Sequence, residues 1–155
     1  MAAVRFLVAF VLATLTTFLL ASIFQSQQVI GRLRKIGAEV SLGEQLTMTV
    51  DDIVGFATRS DIGLSFPVII AAGLFVGFAI AEILRRIIRP LAPVAFIIAG
   101  AAAMGVMMVA MYTVFQASPI AGARGAIGVT LQMLAGAVGG WIFTNLNPAS
   151  KPTHD

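Results

Sequence analysis

Apolar residues gather into four long runs, at about 6–24, 62–84, 91–115 and 126–146. A bilayer core of about 30 Å is crossed by a helix of about 20 mostly apolar residues, so each run is long enough to span. The pattern predicts an all-α, polytopic membrane protein. It is a four-transmembrane-helix bundle with a short-helix external loop between spans one and two, forming a single domain over 1–155. Segment 25–61 is the external part and 147–155 a short tail. The second run organises the rest. Asp61 and Ser65 open it, and Arg85, Arg86, Arg89 and Pro90 close it.

The first run follows Arg5 and so has the basic start of a signal peptide. It exceeds the roughly 7–15 apolar residues of such a peptide, and Ala21-Ser22-Ile23-Phe24 is a poor cleavage site, so it reads as a retained helix. Val29, Ile30, Leu33 and Ile36 then keep helical spacing. The first helix is therefore expected to project from the bilayer as far as Ile36. Gly37 is its stop, and Arg32, Arg34 and Lys35 suit the negative end of its dipole.

Two capping-box patterns follow, Ser41-x-x-Glu44 and Thr49-x-x-Asp52. They predict two short amphipathic helices lying on the membrane surface, with Asp51 and Asp52 as N-terminal charge of the second. The alternation of Val40, Leu42, Leu46 and Met48 offers a small β-hairpin as the alternative. Further on, Pro90 fits the first turn of the third span. Ser118-Pro119 ends that span, and Asn147-Pro148 ends the fourth.

Composition narrows the class. The chain is 59% apolar and 11% charged, against about 25% charged for a soluble domain. Its net charge of +3 comes from residues in connections and ends. That is membrane-surface charge, because no aromatics interleave with Lys or Arg as single-strand binding requires. The expected partners are the lipid bilayer and either further copies of the chain or a larger membrane complex, and no nucleic acid.

Four spans place both ends on one side. Arg5, Arg85, Arg86, Arg89 and Lys151 then share one side, and Arg32, Arg34, Lys35, Arg59 and Arg124 the other. The positive-inside rule is tied by this count. The compact basic turn at 85–89 points to cytoplasmic termini, in an inner (plasma) membrane of bacterial type.

Small residues recur four apart in every run. They are Ala9, Ala13, Thr17 and Ala21; Gly73, Gly77 and Ala81; Ala95, Ala99 and Ala103; and Gly128, Gly136 and Gly140, with Gln132 in the last row. Lipid tails are as apolar as leucine, so helices in a bilayer associate through close backbone contact at small residues. Helix packing is accordingly expected at Ala13, Thr17, Gly73, Gly77, Ala99, Gly136 and Gly140. Ala72-Gly73-x-x-x-Gly77-Phe78 also echoes Ala135-Gly136-x-x-x-Gly140-Trp141, a match that small-residue bias makes easy by chance.

Reactive chemistry is scarce. Cysteine is absent, and the one histidine, His154, sits beside the C-terminal residue. No span has a carboxylate near its middle, where an acid would be a functional candidate. The expectation is no enzyme, no catalytic residue, no metal and no cofactor. Candidate polar or ligand contacts are Gln132, Glu82, Met104, Met108 and Arg124. Glu82 precedes Arg85 and Arg86 by three and four residues, the spacing of an interfacial ion pair. Gln132 suits an interhelical hydrogen bond, and Trp141 with Asn145 an interfacial anchor. The methionines of the third run either fill gaps or line an apolar pocket.

Outside the bilayer, Gln45, Asp51, Asp52 and Arg59 are the candidate partner-docking residues. The pattern thus supports a small non-enzymatic membrane protein, an accessory or scaffold subunit or homo-oligomer that docks partners through its external loop. The alternative is a small transporter or channel, or a lipid-binding bundle, for an apolar or amphipathic ligand.

Overall fold

The computed structural model describes residues 2–58, 65–115 and 125–147. Five α-helices follow in order: α1 (Ala2–Lys35), α2 (Leu42–Thr58), α3 (Phe66–Ile87), α4 (Ala95–Phe115) and α5 (Ala126–Leu146), with a 3₁₀ turn at Arg89–Leu91. Helices α1, α3 and α5 are long and apolar enough to cross a membrane, and α4 is apolar over Ala95–Met111. No strand occurs among the described residues, so the β-hairpin alternative at 40–48 is not adopted.

With 34 residues, α1 is about 51 Å long at 1.5 Å per residue. It stops where the glycine signal lies. Gly37 has a φ of 87°, a conformation that glycine adopts without strain. The Gly37 N–H donates to the Arg34 carbonyl and the Ala38 N–H to the Leu33 carbonyl, each at 3.1 Å. These are the paired bonds of a Schellman ending.

The loop corrects two expectations. Residues 42–58 form one helix, not two short ones. The first capping box is made: the Ser41 N–H and hydroxyl each donate to Glu44 Oε2 at 2.8 Å, and the Glu44 N–H donates back to Ser41 Oγ. The second is not. Thr49 Oγ1 donates to the Gln45 carbonyl one turn back, at 2.8 Å, a bond available inside a continuing helix. No glycine or proline lies between Gly43 and Gly55 to break the run. Asp51 and Asp52 therefore sit in mid-helix and are not N-terminal charge.

The start of α4 is a third correction. Pro90 lies in the 3₁₀ turn, and the helix opens only at Ala95. Pro93 disfavours helical geometry at the residue before it, so α4 begins after that proline.

Helix α3 packs on α4, α4 on α5, α5 on α1, and α1 on α3. The closest approach is between α4 and α5. A Cβ added at Gly100 would fall on the Gly136 carbonyl oxygen, and one added at Gly136 on the Gly100 carbonyl oxygen. A Cβ at Gly140 would meet the Phe96 carbonyl, and one at Gly139 would meet Thr17 Oγ1 on α1. The α3–α4 contact is looser. A Cβ at Gly77 would lie 3.1 Å from the Ala99 carbonyl oxygen, and one at Gly73 would meet only the flexible end of Met107.

Every residue expected at packing positions thus lies at a helix contact or in the core, with Ala13 and Thr17 fully buried. Gly100 was outside the rows read from the sequence. It is one residue off the Ala95, Ala99, Ala103 row and belongs to the face turned toward α5.

Large side chains close the end of the core opposite the α1–α2 connection. The Phe78, Phe96 and Phe143 rings meet with centroids 4.6–5.6 Å apart, offset or edge-on as aromatic quadrupoles prefer. Arg85 lies over the Phe96 ring at 5.6 Å.

The glycine contacts generate a contrast. Gly100→Ala and Gly136→Ala are each expected to lower stability by about 1–3 kcal/mol, because backbone cannot move aside as a side chain can. Gly31 has nothing within 4 Å of an added Cβ. Gly31→Ala should therefore raise stability by about 0.5–1 kcal/mol through helix propensity. Thermal unfolding of the three variants in mild detergent checks both signs.

Candidate functional site: the α1–α2 hairpin and its polar seam

Polar residues recur on one side of α1 at helical spacing: Thr14, Thr17, Ser22, Gln25 and Ser26 are all buried, as is Gln132 on α5. Thr17, Gln132 and Ser26 make side-chain hydrogen bonds there. Thr17 Oγ1 donates to the Ala13 carbonyl at 2.8 Å and fills the space above Gly139. Gln132 Nε2 crosses between helices to the Ala21 carbonyl at 3.1 Å. Ser26 Oγ lies 2.6 Å from Asp52 Oδ2 on α2 and 3.1 Å from the Ser22 carbonyl.

A serine hydroxyl has one hydrogen to give. The carboxylate is nearer and charged, so it takes the stronger bond. That bond pins α2 against α1. Farther along α2, Phe56 meets Phe66, and Phe66 meets Phe18 on α1. These contacts run α2 back along α1 from the turn at 36–41.

This arrangement corrects the expected docking set. Asp52 was expected to face outward and instead turns inward to Ser26. Gln45 is half-buried, its Nε2 donating to the Val40 carbonyl at 3.2 Å. Asp51 is exposed. Arg59 and Arg124 lie outside the described residues.

The outward face of α2 carries an apolar row. Leu42, Leu46, Val50 and Val54 are exposed by 78%, 70%, 56% and 54%. They are spaced four apart and form one row. Glu44 and Asp51, two turns apart, lie along one edge of the row, and no basic residue lies anywhere in α2.

The remaining candidates resolve into packing. Glu82 Oε1 accepts from Arg86 Nη2 at 2.7 Å and from Arg85 Nη2 at 2.9 Å, so one carboxylate holds both arginines. Met104 and Met108 are buried in the core. Met107 lines an apolar groove of about 630 Å³ between α3 and α4, together with Gly73, Val76, Ile98 and Ala102. The Asn145 side chain donates to the Trp141 carbonyl at 2.9 Å, and Trp141 is exposed. Among the described residues no group of three or more His, Asp or Glu side chains is placed to hold a metal ion.

Reading the sequence by apolar runs passed over Ser22, Gln25 and Ser26. Their signal was available: Thr14 and Thr17, and then Ser22, Gln25 and Ser26, are pairs three or four residues apart in and just after the first apolar run.

Two expectations follow. Ser26→Ala and Asp52→Ala should be coupled in a double-mutant cycle by about 0.5–3 kcal/mol, as hydrogen-bonded neighbours are. Thermal melts of the two single variants and the double variant measure that coupling. The second concerns acid. Hydrogen bonds from the Ser41 backbone and then its hydroxyl hold the Glu44 carboxyl below its ordinary range. A depressed carboxyl supports the fold above its unfolded pKa of about 4.3. That support is lost as pH falls through the lower folded value. An NMR titration of the Ser41 and Glu44 amides should therefore show the cap releasing below about pH 4.3.

Compared with known proteins, the chain matches no protein-family model, no curated protein and no solved structure.

Proposed function

We propose that this chain is a small, non-enzymatic integral membrane protein that acts as an accessory or scaffold subunit and docks its partner on the α1–α2 hairpin. In this reading α1, α3, α4 and α5 are four spans, with both termini cytoplasmic in an inner membrane. The bilayer core takes about 30 Å of α1, and roughly 20 Å of its length is left over. The Gln25-Ser26-Gln27-Gln28 run marks where the apolar segment ends. Helix α2 lies along that projecting part.

One observation carries the docking role: the outward row of Leu42, Leu46, Val50 and Val54. A contiguous apolar strip standing beyond the bilayer is costly in water and typical of an interaction surface. The acidic edge formed by Glu44 and Asp51 selects for a basic amphipathic partner helix, since helix-in-groove recognition reads anchors at this spacing. The same acids disfavour the anionic headgroup layer, which attracts basic segments.

A second reading is favoured by a different observation. The 630 Å³ groove between α3 and α4 is lined by apolar residues. It has the size of a small-molecule site and suits an acyl chain, as a lipid-binding bundle would offer.

The hairpin reading is tested with Leu46→Glu and Val50→Glu, two exposed positions where the fold tolerates a carboxylate. Native mass spectrometry from mild detergent should show the partner complex with the natural chain and its loss with both variants, each still folded by circular dichroism. A partner retained at natural stoichiometry by both variants sinks the docking role.

A further inference from the structure

Ser22 Oγ, Gln25 Oε1 and Gln132 Oε1 are buried and have no hydrogen-bond partner in the protein. Their residues are exposed by 0%, 4% and 2%. The orientation of Gln132 is fixed. Its Nε2 donates to the Ala21 carbonyl, and turning the amide over would set two oxygens against each other. Its Oε1 must therefore find a donor elsewhere.

The three residues converge on one turn of α1. The Ala21 carbonyl points along the helix toward Gln25, to which it is joined by the helical ladder. The Cα–Cβ bond of Gln25 tilts toward the helix N-terminus, which is the side of that same carbonyl. Ser22 and Gln25 are three apart and are surface neighbours on the helix.

The donors and acceptors of this group fit a single small molecule. Two amide oxygens need donors, and one hydroxyl has a hydrogen to give. A water molecule supplies two hydrogens and accepts one, and buried waters make about three such bonds. A metal cation is a poorer match. The three oxygens are neutral, hard cations want six or more, and the nearby carboxylate of Asp52 is engaged by Ser26.

We propose that the α1–α5 seam binds a resident water molecule through Ser22, Gln25 and Gln132. This site stands on burial and donor count, and not on the docking role. The water fixes the register of α1 against α5, as a single buried polar contact does in a coiled coil. It also lies next to the anchor of the hairpin, because the Ser22 carbonyl and Asp52 compete for the Ser26 hydroxyl.

The test is solid-state NMR of the full chain in lipid nanodiscs, with glutamine side-chain amides labelled with ¹⁵N and exposed Gln27 as the positive control. The expected result is a cross-peak from long-lived water to the Gln132 side-chain amide, lost in Ser22→Ala and in Gln25→Leu. A natural chain whose Gln27 shows water while Gln132 shows none overturns the proposal. So does a Gln132 signal that shifts when sodium in the buffer is exchanged for lithium, which would mark a cation. A stability readout guards against unfolding. Gln132→Leu alone should lower the melting temperature, and the triple variant Ser22→Ala, Gln25→Leu, Gln132→Leu should recover it by drying the seam. A triple variant less stable than Gln132→Leu alone also overturns the proposal.

Discussion

Backbone meets backbone where α4 crosses α5, and the rest of the packing is set by that contact. At Gly100 and Gly136 no atom stands between the two main chains, and the room for a Cβ is taken by the opposing carbonyl on each side. Such closeness lets many weak dispersion contacts act at once, which matters most where apolar burial gives no net drive. It also brings Gly139 onto Thr17 of α1, so that one helix, α5, is in contact with two neighbours through adjacent glycines. Large side chains then take the space that remains, with Phe78, Phe96 and Phe143 meeting tilted or edge-on at one end and Met104 and Met108 inside.

The other end is built on a different principle. There α1 runs on past its apolar segment, and polar bonds replace close backbone contact. Gln132 reaches the Ala21 carbonyl, and Ser26 reaches Asp52. Away from water such bonds are directional and costly to leave unmade, so they fix register where small residues alone would allow sliding. The Ser26–Asp52 bond turns Asp52 inward, beside the core-packed Ile53 and Phe56, and the apolar row of Leu42, Leu46, Val50 and Val54 faces out. Helix α2 thus carries apolar residues on its inner and its outer side, where a surface helix usually has them on one, and that sets the hairpin apart from a simple connection.

Much of the architecture was legible in the order of residues. Helix α5 falls at the boundaries of its apolar run, because apolar length and the flanking glycine and asparagine act locally. Gly37 ended α1 for the same reason, since a left-handed residue is a local requirement. The first capping box, Ser41 with Glu44, was legible as well. The second was not: Thr49-x-x-Asp52 has the composition of a helix start, but with no breaker before it the helix simply continues, and Thr49 bonds backward to Gln45. A capping pattern specifies a start only where the preceding chain has already left the helix.

What the sequence determined by itself was therefore local and periodic: helices, their ends, and rows of small residues able to pack. Partner choice belongs to the tertiary structure, because it depends on which rows face each other across space. That is why Gly100, one position off the expected row, became part of the close α4–α5 crossing. It is why Asp52, an outward candidate by polarity, turned inward to Ser26. It is also why the polar side of α1 became a buried seam, since burial of Ser22 and Gln25 follows from where α2 and α5 lie, and no property of α1 alone fixes that.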